Sequence, residues 1–166
     1  MERIEREDTK VAIFIDLANF VISLKQGKFK MERAFYKLFE LAGSYGEVIE
    51  TSAYADFGRL EFHIQQILLS KGTKFIHCPS GPNGNGNSKF DDTELVEGIH
   101  DCLKRDKADF FIIVSSDCMI FPVTRTLKHF NKSFRIFGFS ESTSSFLKRL
   151  PGFIDLSRFL EKQENN

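Results

Sequence analysis

The sequence predicts an α/β fold of three layers, a mainly parallel five-stranded central sheet with helices on both faces. Three observations carry that expectation. First, Val11-Ala-Ile-Phe-Ile15 and Phe110-Phe-Ile-Ile-Val114 are unbroken apolar runs. A strand with one wet face alternates apolar and polar residues, whereas an unbroken run fits a strand buried on both faces, as in a parallel sheet. Second, strand and helix signals alternate along the chain, and repeated β-α-β units imply right-handed crossovers. Third, both apolar runs lead into an aspartate, Asp16 and Asp117. Open α/β sheets place ligands beyond the carboxyl ends of their strands. Two carboxylates carried to one sheet edge point to a site for a divalent cation and to phosphate chemistry.

The first strand is expected at about 11–16. A helix fits about 30–43, where Met31, Ala34, Phe35, Leu38, Phe39 and Leu41 are apolar and Gly43 closes the run. No element is assigned to 17–29. The second strand covers about 47–55, and a helix with Leu60, Ile64, Ile67 and Leu68 covers about 59–71, ending at Gly72. A short third strand at 74–78 precedes the glycine-asparagine loop of 79–88. A helix follows at about 91–105, the fourth strand at 109–115, a helix at about 120–131 and the fifth strand at about 133–138. A short helix near 143–149, an extended piece at 153–154 and a terminal helix near 157–163 complete the chain. In the common doubly wound order, strands one and four are neighbours and the chain reverses direction between them. Asp16 and Asp117 then lie side by side in the switch-point crevice.

The 166 residues fit one domain, 11–163, preceded by an N-terminal extension, 1–10. Hydrophobic residues make up 42% and charged residues 28%, an ordinary soluble composition, and the formal net charge is zero. No basic tail is present, so strong nonspecific nucleic-acid binding is not implied. Lys104-Arg-Asp-Lys107 and Lys148-Arg149 read either as local basic patches or as solvated helix faces. Cys78, Cys102 and Cys118 show no paired spacing, which argues for a reducing compartment, and Cys118 is expected to be a packed thiol. The charged start is not a signal peptide and no run can span a bilayer, so the expectation is a cytoplasmic protein with no membrane partner. The 19 phenylalanines fit core packing for nearly all, although exposed ones could stack on bases.

A third acidic cluster, Asp91-Asp-Thr-Glu94, opens the helix after the loop. Asp92 shares a helical stripe with Val96, Ile99 and Leu103, which turns it toward the sheet. Glu97 lies one turn on and could reach the rim. For Asp91 or Asp92, and for Asp117, an N-cap role is the plain alternative, because a helix-start aspartate satisfies orphan amides. Asp16, after five apolar residues, is harder to explain that way and needs a partner such as a cation.

These motifs resemble an NYN domain of the LabA-like group, within the PIN-like nuclease superfamily, whose topology is Rossmann-like. The resemblance rests on the strand ending in Asp16 with Asn19, Tyr54-Ala-Asp56, Lys89-x-x-Asp92-x-x-Leu95, and Phe111-Ile-Ile-Val-Ser-Ser-Asp117 followed by Phe121-Pro122 and Leu127. Ser145-x-Leu147 and Phe153-Ile-Asp-Leu156 resemble the closing segment. It covers about 11–160. The resemblance implies a ribonuclease that holds Mg²⁺ or Mn²⁺ on a cluster of carboxylates, with RNA as partner. Carried over position by position, Asp16, Asp92 and Asp117 are the metal ligands and catalytic residues. Asn19 and Ser116 match polar positions beside them, and Lys89 could hold a phosphate oxygen or be an ordinary solvent lysine. Two positions depart from the pattern. Met119 stands where the family has a second aspartate, and Gly98 stands where an acidic residue is common.

Other chemistries fit less well. The glycines of 81–86 have P-loop spacing, but Asn87-Ser-Lys89 misplaces the lysine and hydroxyl. That loop reads as a lid or as a plain surface loop. Asp16-Leu-Ala18 lacks the second aspartate of a haloacid-dehalogenase-type phosphatase, and the histidines are too scattered for zinc. Two functions remain. One is a metal-dependent ribonuclease; the other is a noncatalytic RNA-binding or protein-interaction module with an impaired site. The sequence leaves the oligomeric state open, a homodimer included.

Overall fold

The central strands owe their place to composition. In the computed structural model, which describes residues 8–79 and 88–162 with the side chains of 88–91 excepted, β1 (Lys10–Asp16) and β4 (Phe110–Val114) lie side by side. Val11 through Ile15 are wholly buried, as a strand covered on both faces requires. β2 (Glu47–Ala55), β3 (Lys74–His77), β5 (Ser133–Gly138) and β6 (Phe153–Asp155) complete a sheet of order β3-β2-β1-β4-β5-β6 in which every pair is parallel. Asp16 and Asp117 therefore end or follow adjacent strands, as the doubly wound order requires.

The sheet has six strands rather than the expected five. The extra one is β6, read from sequence only as an extended piece. It is three residues long, too short for a periodic signal, and it pairs with β5 only once both are in place. Short edge strands such as β3 and β6 also limit edge-to-edge association.

Helices α1 (Leu17–Gln26), α2 (Met31–Gly43) and α3 (Phe62–Ser70) cover one face, burying Leu17, Leu24, Phe35, Leu38, Ile64 and Leu68 against Ile13, Ile15, Ile112 and Val114. Helices α4 (Ser88–Arg105), α5 (Phe121–His129) and α6 (Ser145–Lys148) cover the other, burying Leu95, Ile99, Leu127 and Leu147 against Phe14, Phe111 and Ile113.

Three elements differ from the sequence reading. Helix α1 fills the unassigned 17–29 stretch. It starts without an intervening loop, so no turn signal announces it, although Leu17, Phe20, Val21 and Leu24 have helical spacing and are buried. Its end is set by Gly27, where a Cβ would stand 2.3 Å from the Phe29 ring. Helix α4 starts at Ser88, three residues earlier than expected. The terminal helix of 157–163 is instead a 3₁₀ turn, Leu156–Phe159, after which Lys162 forms an antiparallel bridge with Phe29. Seven mostly polar residues cannot nucleate a helix without a packed face. Residue 163 and most of the glycine-asparagine loop lie outside the described residues.

Candidate active site

The carboxyl edge of the sheet is lined by aspartates with one local design. Asp16 caps α1, its Oδ1 accepting from the Asn19 amide at 3.1 Å. Asp56 accepts from the Gly58 amide at 3.2 Å, Asp117 from the Met119 amide at 2.9 Å, and Asp155 from the Ser157 amide at 3.1 Å. Each turns the chain out of a strand by satisfying an orphan amide at the start of a helical turn. The cap role thus extends to Asp16, for which the sequence made it harder to see. Asn19 takes part through its backbone amide.

Asp92 moves the other way. Because α4 begins at Ser88, Asp92 lies within the helix, past its first turn, and is not the cap that a start at 91 implied. Its side chain is only 7% exposed, and that of Asp16 only 5%. The inward stripe runs through Asp92, Leu95, Ile99 and Cys102, while Val96 is half-buried. Asp16 follows Phe14 and precedes α1, and Phe14 belongs to the core beneath α4. By strand alternation Asp16 is on the α4 side of the sheet.

Asp117 is half-buried and lies between Ser116 and Cys118. Cys118 is exposed, not packed. Its hydrogen bond to Asp117, together with the Asp117 charge, holds the thiol above its ordinary pKa, and Asp92 adds to the shift. Ser116 is committed internally. Its hydroxyl accepts from Thr143 Oγ1 at 3.3 Å, and its carbonyl accepts from the Ser144 amide at 3.2 Å. The Lys89 side chain lies outside the described residues. Among the described residues no group of three or more His, Cys, Asp or Glu side chains stands ready to hold a metal ion. The donor chemistry nevertheless fits a hard cation, since the predicted ligands are carboxylate oxygens.

Both departures from the family pattern have a structural expression. A Cβ on Gly98 would stand 1.9 Å from the Tyr54 hydroxyl. The phenol fills the space that an acidic side chain would need, and burial raises the Tyr54 pKa well above its ordinary value, against an opposing hydrogen bond with Ser52. Met119 is 56% exposed, so the second missing carboxylate is replaced by a surface thioether. A groove of about 490 Å³ opens elsewhere, between α4 and β2–β3, lined by Glu50, Ser52, Glu94 and Glu97 among others. Glu97, which the sequence put within reach of the rim, is exposed and lines this groove. Of the two basic clusters, Lys104 pairs with Asp101 at 3.3 Å and Arg105 with Glu50 at 2.9 Å, as solvated helix faces do.

The chain belongs to the NYN domain family, whose model matches residues 10–157. NYN domains are part of the PIN-like nuclease superfamily. None of the curated proteins compared with the chain matches it. Among solved structures, the chain is similar to a protein of unknown function from Vibrio parahaemolyticus, at 23% identity and a TM-score of 0.68, over 93% of this chain and 96% of that one. That likeness shows the shared fold. Among the described residues no helix is long and apolar enough to cross a membrane.

Proposed function

We propose that the chain is a metal-dependent ribonuclease of the LabA-like group, hydrolysing RNA phosphodiester bonds at Asp16, Asp92 and Asp117. The observation that carries the reading is the burial of two carboxylates, Asp16 and Asp92, on one side of the sheet's carboxyl edge in an NYN domain. A hard cation is one of the groups that compensate buried carboxylates, beside hydrogen bonds from the chain such as the Asn19 amide gives Asp16. In this reading Asp16, Asp92 and Asp117 would hold Mg²⁺ or Mn²⁺. When bound, the ion lowers the pKa of water and offsets charge on the phosphate. In this reading Asp117, which is half-open to solvent, takes the proton of the attacking water. As the water oxygen bonds to phosphorus, the phosphorus–oxygen ester bond breaks and the leaving oxygen takes a proton from solvent, while Asp117 returns its own proton to solvent. Lys89 is assigned a phosphate oxygen as a point charge.

Tyr54 in the Gly98 space and the exposed Met119 favour a second reading, a noncatalytic RNA-binding or protein-interaction module. A titration with Mn²⁺ separates the two. The nuclease reading expects the ion to raise Tm and to support cleavage of labelled single-stranded RNA. Both effects are lost in Asp16→Asn, a substitution that keeps a good helix cap and removes only the charge. Cleavage should fall by about 100-fold or more, beyond what loss of an outer-shell contact costs. An unchanged Tm at millimolar metal, with intact RNA, would leave the module.

A further inference from the structure

The rim beside Asp117 carries an apolar surface with no role in hydrolysis. Phe146 is 64% exposed. Its ring meets Phe121 edge-on, with centroids 5.7 Å apart and planes at 74°. Phe121 opens α5 directly after the 3₁₀ turn that Asp117 caps, and that turn presents Met119 to solvent. Single exposed apolar residues are ordinary. Here two such residues and a half-buried ring flank a candidate phosphate-processing site.

The platform is held in place. The Ser144 amide donates to the Ser116 carbonyl at 3.2 Å, and Thr143 Oγ1 to the Ser116 hydroxyl at 3.3 Å. Ser144 caps α6 through the Leu147 amide, and Lys148 Nζ reaches the Ser140 carbonyl at 3.1 Å. Leu147 is fully buried. Its neighbour Phe146 therefore points outward from a backbone tied to the residue before Asp117. Two cations flank the rings. Arg125 is one helical turn after Phe121 in α5, and Arg149 is the C-cap of α6, three residues after Phe146. Both are exposed, and neither has an ion-pair partner among the described residues.

We propose that Phe146, supported by Phe121 and Met119, is a stacking platform for an unpaired base of single-stranded nucleic acid, with Arg125 and Arg149 against the adjoining phosphates. The proposal rests on the phosphodiester substrate of the proposed function and assigns the residues that hold one of its bases; a paired base is already stacked and offers no face. A chain without a basic field gains little from general phosphate attraction, and sequence-tolerant stacking supplies affinity that the field does not.

The test is fluorescence anisotropy with a labelled oligouridylate in EDTA, so that binding is read without metal or cleavage. Phe146→Ala should weaken binding by about tenfold, and Phe146→Trp should retain it. Arg149→Gln should make the salt dependence shallower by about one phosphate contact. Wild-type affinity in a folded Phe146→Ala protein would overturn the platform, as would an equal loss against duplex RNA. A concentration-dependent dimer that Phe146→Ala abolishes, with oligouridylate affinity unchanged, would also overturn it and make the rim a protein contact. Binding through Phe146 without any cleavage sinks the nuclease and leaves the platform. Cleavage by Phe146→Ala with unaltered kcat and KM does the reverse.

Discussion

Asp155 and Asp117 leave their strands by the same device and end in opposite circumstances. Asp155, at the outer edge, accepts from the Ser157 amide at 3.1 Å and hydroxyl at 2.7 Å, from the Ser140 amide at 3.3 Å, and from the Ser140 hydroxyl. Its side chain is 11% exposed. Asp117, beside the switch point, takes the Met119 amide and the Cys118 thiol and remains half-open to solvent. A carboxylate saturated by the protein's own donors is a structural part. One that stays half-open to solvent at the carboxyl edge of the sheet is accessible to a further donor. The motif is the same in both, and its surroundings decide what it does.

The comparison breaks most visibly in stability. Hydrogen bonds to a charged acceptor contribute about 1.5–3 kcal/mol each, less than additively. Asp155→Ala is therefore expected to cost about 3 kcal/mol. Asp117→Ala, which removes the cap on the Met119 amide and a weak thiol hydrogen bond, is expected to cost about 1 kcal/mol. Urea unfolding of the two variants measures both, and equal losses would mean that saturation does not distinguish them.

Acid titration sharpens the same contrast. Burial pushes the Asp155 pKa up, but the bonds from Ser140 and Ser157 outweigh it and hold the carboxyl below its usual range. A carboxyl depressed in the folded state stabilises the protein fully above its unfolded pKa of about 3.9, and that contribution is lost as pH falls through the lower folded value. Wild type should thus lose more stability than Asp155→Asn between about pH 5 and pH 2. Parallel curves for the two proteins would show that the hydrogen bonds do not depend on the charge.

The smallest expected effect concerns Met119. A thioether is a poor ligand for a hard cation, and Met119 is exposed, so Met119→Asp should fold normally and raise kcat on single-stranded RNA several-fold with Mn²⁺, while KM rises as the platform loses an apolar edge. A rate unchanged across Mg²⁺ and Mn²⁺ would show that another feature, such as Tyr54 in the Gly98 space, limits the site.

Much of this architecture is legible without coordinates. The unbroken runs at Val11–Ile15 and Phe110–Val114 can be satisfied only by burial on both faces, and the handedness of crossovers leaves few ways to order parallel strands. That logic brought Asp16 and Asp117 to neighbouring positions. It faltered where local signals were thin. Helix α1 begins with no turn before it, and β6 is too short to show a period. The plain roles expected of the aspartates also changed places, with Asp16 a cap and Asp92 interior to its helix.

The chain by itself determined the layers, the parallel order and the edge at which carboxylates gather, because periodicity and covalent direction act along the sequence. Only the tertiary structure decided that Tyr54 occupies the space beside Gly98, that Met119 and Phe146 face solvent, and that Asp155 is saturated while Asp117 is not. Those outcomes depend on contacts between residues far apart in the chain, such as Ser116 with Thr143 and Asp155 with Ser140, and no local pattern encodes which donors will reach which oxygen.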